Sequence, residues 1–158
     1  MARYRVSFSA LTSNGGANVF RTFVGLIAGA AKRGKLVSID IGPAGEAPQD
    51  LDVSLRISTT NQAGAGTPAS APTPLAVDPG NPLVSVMTTG IDYTAGEPTT
   101  VHATPHELEV GFNSRGGYSK RFDDVDAPRW GASQTLVIQI APGTGAAVKM
   151  SGTVVWEE

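Results

Sequence analysis

The chain has 158 residues, 41% of them hydrophobic and 16% charged, with a formal net charge of −2 and no cysteine. That length suits a single domain able to bury its own core. The charge gives no electrostatic reason for nucleic-acid binding, and the missing cysteines exclude disulfides and thiolate metal sites. The low charged fraction implies a surface rich in Thr, Ser, Gly and Asn, which suits a protein that works packed against others.

Alternation begins at the N-terminus: Tyr4, Val6 and Phe8 share one parity and Arg3, Arg5, Ser7 and Ser9 the other, which predicts a half-buried strand. No apolar h-region precedes it, so no signal peptide is expected and synthesis is placed in the cytoplasm. After a turn at 13–16, Phe20, Phe23, Val24, Ile27 and Ala28 recur at spacings of three and four. This predicts a short amphipathic helix, with Lys32, Arg33 and Gly34 as its C-terminal signal. Gly25 and Gly29 weigh against it, and a strand through the same residues is the rival. The longest apolar stretch, 23–31, is too short to span a bilayer, so no membrane association is expected.

Leu36, Val37, Ile39 and Ile41 predict a strand, and Leu51, Val53, Leu55 and Ile57 alternate cleanly in another. Residues 60–82 are rich in Pro, Gly and Thr and read as an extended loop or arm, with a disordered insertion as the alternative. A short strand is expected at 83–88, a short extended piece at 99–103, and a hairpin over 107–122 turning at 113–117. An acidic loop with Asp123, Asp124 and Asp126 follows, then a strand at 135–140 and a closing strand at 147–156. In the closing strand Val148, Met150, Val154 and Trp156 alternate with Lys149, Ser151 and Thr153. The pattern defines an all-β antiparallel sandwich, jelly-roll-like, of about eight or nine short strands with at most one short helix, as a single domain over 1–158.

No catalytic set accompanies the strands. His102 and His106 flank Pro105 in a turn-rich stretch rather than on a helix face, and do not complete a zinc motif. Asp123, Asp124 and Asp126 lack the glycine and distal glutamate of a calcium loop. They are instead expected to pair with Arg115, Lys120, Arg121 or Arg129, within the chain or across an interface. No nucleophile elbow or phosphate loop occurs. Glu157 and Glu158 are adjacent on a strand, face opposite sides and receive no catalytic role. Trp130 and Trp156, with Tyr93 and Tyr118, are the residues that could stack on a sugar. The expectation is a non-enzyme without metal or cofactor.

The order of features resembles a family of small β-sandwich virion proteins of tailed bacteriophages, the capsid decoration (cement) proteins. The resemblance rests on Ala2-Arg3-Tyr4-Arg5-Val6-Ser7-Phe8, on Arg21-Thr22-Phe23-Val24-Gly25-Leu26-Ile27-Ala28, and on Ile39-Asp40-Ile41-Gly42-Pro43-Ala44-Gly45-Glu46-Ala47-Pro48. It continues through Leu55-Arg56-Ile57, Thr73-Pro74-Leu75 and Gly111-Phe112-Asn113-Ser114-Arg115-Gly116 to Trp156-Glu157-Glu158. It implies a protein on the outside of the virion capsid that binds the major capsid protein as a dimer or trimer and clamps neighbouring capsomers. The contacts would come from Pro68, Pro72, Pro74 and Pro79 of the arm, and from Arg115, Tyr118, Arg121, Arg129, Trp130 and Trp156. A tail-tube or head–tail adaptor protein and a glycan-binding adhesion module are the alternatives.

Overall fold

The computed structural model describes residues 1–13, 19–44, 52–61, 67–78, 80, 84–93, 107–144 and 147–158, with only the backbone described for 10–13, 52–54, 60 and 61. The described residues form eleven strands and no helix. They are β1 (Arg3–Ser13), β2 (Arg21–Ile27), β3 (Gly34–Pro43), β4 (Asp52–Asn61), β5 (Leu75–Ala76), β6 (Thr88–Ile91), β7 (Leu108–Asn113), β8 (Tyr118–Arg121), β9 (Arg129–Trp130), β10 (Gln134–Pro142) and β11 (Val148–Glu157). One sheet has the order β5-β1-β11-β3-β8, with β9 also on β3; the other has the order β6-β2-β10-β4-β7. We call them sheet A and sheet B.

The pairing is nested. β1 pairs with β11, β2 with β10, β3 with β8 and β4 with β7, all antiparallel. The pairs β11–β3 and β10–β4 then join these ribbons into the two sheets. An antiparallel ribbon wrapped so that its strands fall alternately in two facing sheets is the jelly roll. The expected sandwich class is therefore the observed one.

Alternation explains the core. Tyr4, Val6 and Phe8 of β1 and Met150, Val154 and Trp156 of β11 point inward from sheet A, meeting Leu55, Ile57, Leu136, Ile138 and Ile140 of sheet B. Phe8 and Phe23 meet edge to face across the sheets, at 5.9 Å and 85°, a favoured aromatic geometry. β10 is buried on both faces from Thr135 to Pro142. Tyr93 lies over the outer face of sheet B, where a Cβ on the paired Gly25 or Gly90 would stand 2.3 Å from its hydroxyl.

Three expectations are corrected. Residues 21–27 are strand, not helix. Their pairing with β10 shifts register between Ile138 and Gln139, leaving Phe23 as an extra residue between Thr22 and Val24, without a partner of its own on β10. The bulge puts Phe23 inward together with Val24 and Leu26, so a broken period of two mimics a spacing of three and four. The 107–122 segment is not a hairpin, because β7 belongs to sheet B and β8 to sheet A. The turn between them crosses the sandwich. Its Asn113 side chain accepts from Arg115 N at 2.9 Å, and Gly117 holds φ 67 where a Cβ would stand 2.6 Å from Ile41 O, a conformation that favours glycine. Finally, 84–87 lie outside any strand with Val84 and Val86 exposed, and the ladder starts at Thr88. The extended piece expected at 99–103 falls outside the described residues.

Residues 67–78 run along the body. Ala69 N donates to Asp92 O, Ser70 bridges Ile91 beside β6, and the Thr89 hydroxyl donates to Pro72 O. The segment then crosses to sheet A, where Leu75 and Ala76 pair with Arg5 and Tyr4 and Val77 N donates to Arg3 O at 2.9 Å. It straps the edge of one sheet to the edge of the other.

Candidate functional site

The outward residues of sheet A line up in cross-strand rows. The first row is charged. Arg3 lies opposite Glu157, Glu157 opposite Lys35, and Lys35 opposite Arg129. Arg3 Nε donates to Glu157 Oε1 at 2.6 Å, and Lys35 Nζ sits 2.7 Å from both Glu157 Oε2 and Asp124 Oδ1. Arg129 Nη2 donates to Asp124 O at 2.7 Å and lies 3.4 Å from its carboxylate. The five side chains thus form a chain of alternating sign, from β1 through β11 and β3 to the β8–β9 loop and β9. Directly opposed unlike charges support strand pairing, and a network holds long side chains in place better than isolated pairs do.

The titration behaviour follows from this geometry. Glu157 is held below the usual carboxylate range, first by the Lys35 hydrogen bond and then by Arg3. Lys35 is raised, first by Asp124 and then by Glu157. Asp124 is lowered chiefly by its hydrogen bond to Lys35. Opposite charges at hydrogen-bond distance favour the charged form of each partner.

Beside this row lies an open cavity of about 500 Å³, lined by Lys35, Glu157, Asp124, Arg129 and Trp130 among others. Trp130 is buried against Gly34, where a Cβ would come within 2.2 Å of its ring. Its indole N–H has no hydrogen-bond partner among the described residues. Glu158 faces another way and latches the 84–87 segment. Its carboxylate accepts from the Ser85 hydroxyl, from Val86 N at 3.1 Å and from Trp156 Nε1 at 3.2 Å.

The second row runs Leu75, Arg5, Val155, Ser38, Arg121, and the third Ser7, Thr153, Asp40, Ser119. In the third, the Ser7 and Thr153 hydroxyls are 2.9 Å apart. The two tightly bonded carboxylates, Glu157 and Glu158, serve as an ion-pair hub and a latch.

The residues expected to make contacts are scattered. Pro68, Pro72 and Pro74 lie on the strap, and Pro79 lies outside the described residues, as do His102 and His106. Arg115 is exposed on the β7–β8 turn, and Tyr118 is half-buried against Phe112 at 5.7 Å. Arg121 and Arg129 are exposed on sheet A, and of the cations proposed for the acidic loop it is Arg129 that meets Asp124. Trp130 and Trp156 are core residues, 2% and 0% exposed, so neither offers a face to a partner. With Tyr93 equally buried, the stacking platform considered for sugars is not formed. Among the described residues no group of three or more His, Asp or Glu is placed to hold a metal ion. Sequence reasoning missed Arg3, Lys35 and Glu157. Their outward parity was visible, but not the strand order that aligns them.

Fold and surface together define the class: a jelly-roll sandwich with a charge-laced sheet face. No protein-family model, curated protein or solved structure matches the chain.

Proposed function

We propose that the protein is a non-enzymatic structural component of a bacteriophage virion that binds the outside of the capsid and stabilises contacts between capsomers. The observation that carries this reading is the jelly roll, an architecture used by viral capsid and lectin domains. Fold alone does not fix function; the step to the capsid comes from the ordered resemblance of residues 2–8, 21–28, 39–48 and 156–158 to decoration proteins. The lectin branch is the weaker one, because the tryptophans that would stack on a sugar are inside the core. The partner is then the major capsid protein, with the protein itself a dimer or trimer on the shell.

Cryo-EM of particles produced by the genome that encodes the chain tests the reading. The expected result is density for a jelly-roll sandwich on the outer head surface. Density confined to the tail overturns it in favour of a tail-tube or head–tail adaptor role.

A further inference from the structure

The charges of this chain are unevenly distributed. The strands of sheet A carry six outward cations, Arg3, Arg5, Lys35, Arg121, Arg129 and Lys149, which is half of the chain's 12 Lys and Arg. Against them the same strands offer two outward carboxylates, Asp40 and Glu157. A protein whose net charge is −2 thus presents one positive sheet face.

Arg3, Lys35 and Arg129 are committed to Glu157 and Asp124. The side chains of Arg5, Arg121 and Lys149 are exposed and make no side-chain hydrogen bond or ion pair among the described residues. Arg5 and Arg121 stand in the same row on β1 and β8, separated by β11 and β3. Three inter-strand steps put them about 14 Å apart, at about 4.8 Å per step. Between them lie Val155 and Ser38, and beyond Arg5 the exposed Leu75 of the strap. Two guanidiniums flanking a small apolar and hydroxylated strip suit a mixed protein surface. They do not suit a phosphate backbone, because Asp40 in the next row and the acidic loop at the β8–β9 side would repel a continuous polyanion.

We infer that the outer face of sheet A docks on an acidic protein surface, with Arg5 and Arg121 as the free cations that steer and register it. This deepens the functional reading above and rests on it in naming that surface as part of the shell. The ion-paired row fixes the rim, and the unpaired row meets the partner.

The test uses the full chain and its Arg5→Glu/Arg121→Glu variant, with Lys32→Glu/Arg33→Glu as a control of equal charge change on the exposed β2–β3 turn. Binding to purified heads lacking the protein is measured by co-sedimentation at two salt concentrations. The wild type is expected to bind more weakly at high salt, the face variant roughly tenfold more weakly than wild type, and the control within twofold of it, since exposed charges that meet an oppositely charged partner govern steering and salt dependence. Binding by wild type that survives in the face variant overturns this inference and leaves the capsid reading standing. If wild type fails to bind heads, the capsid reading falls, and immobilised poly-L-glutamate decides the face. Salt-sensitive capture lost in the face variant supports an acidic protein partner. No capture, or tighter capture of duplex DNA in the same format, overturns it. Unchanged melting temperatures of both variants exclude misfolding as the cause.

Discussion

Glu157 shows how much one side chain can organise here. It receives Arg3 from one neighbouring strand and Lys35 from the other, so it ties three strands of sheet A on their outer face. Its folded pKa lies below the ordinary value, so its contribution is fully present above the unfolded carboxylate range, about 4.3, and is lost as pH falls through the folded value. Lys35 is shifted upward, so its contribution is full below about 10.4 and is lost only as pH rises through the higher folded value. The melting temperature is therefore expected to be flat between these limits and to fall on the acid side, and Glu157→Gln should flatten that acid limb. Melts of both proteins between pH 3 and pH 8 check this; an acid limb of unchanged steepness in the variant would show that Glu157 does not carry it. Gly34 gives a second prediction of the same scale. A Cβ there would overlap the Trp130 ring, so Gly34→Ala should cost about 1–3 kcal/mol, the usual range for overpacking. The same change made beside Trp130→Ala should cost much less, because the ring it strikes is gone. Equal costs in the two backgrounds, measured by denaturant unfolding, would mean the strain lies in the backbone and not in this contact.

At the level of elements, the strap joins the two sheet edges through few bonds, and one of them can be removed cleanly. Val77→Pro deletes the N–H that reaches Arg3 O. Proline also favours an extended conformation for the residue before it, which Ala76 already has in β5. The loss is expected to be about 1 kcal/mol, typical of a single hydrogen bond, together with faster proteolytic cleavage within 67–78. Cleavage at the wild-type rate would show that this bond does not hold the strap. Which elements were legible in the sequence follows from the same geometry. β1, β4 and β11 are readable because their alternation keeps one parity inward, and β10 because its run from Thr135 to Ile140 is β-forming throughout, buried on both faces. β2 is not, because its bulge at Phe23 breaks that parity and leaves apolar residues at helical spacing. β7 and β8 read as one hairpin in the sequence because two alternating runs and a glycine turn look alike whether the second strand returns to its own sheet or crosses to the other. The charged row escaped notice for a related reason: Arg3, Lys35, Asp124 and Glu157 lie far apart in the chain, and only the order β1-β11-β3 brings them together.

The molecule as a whole is held by non-local pairing. β1 and β11, at opposite ends of the sequence, lie side by side in sheet A, and β2 and β10 do the same in sheet B. Neither sheet has a core of its own, since the inward residues of each are covered by those of the other. Such a topology must close long loops before its contacts form, which makes folding slow, in the millisecond to second range. It also predicts that the sheets melt together. The two tryptophans report on this from different places: Trp156 sits on the central strand of sheet A, 6.1 Å from Tyr4, and Trp130 on the short strand β9 at the edge of β3. In Trp130→Phe the tryptophan fluorescence comes from Trp156 alone, and in Trp156→Phe from Trp130 alone, because the chain has 2 tryptophans. Within each variant, the fluorescence and far-ultraviolet circular dichroism midpoints in urea are expected to coincide, as two-state unfolding of one shared core requires. A Trp130 transition at lower urea than the dichroism transition would show that β9 and the charged row open before the sandwich does. The sheet A face could then rearrange on docking while its core stayed closed.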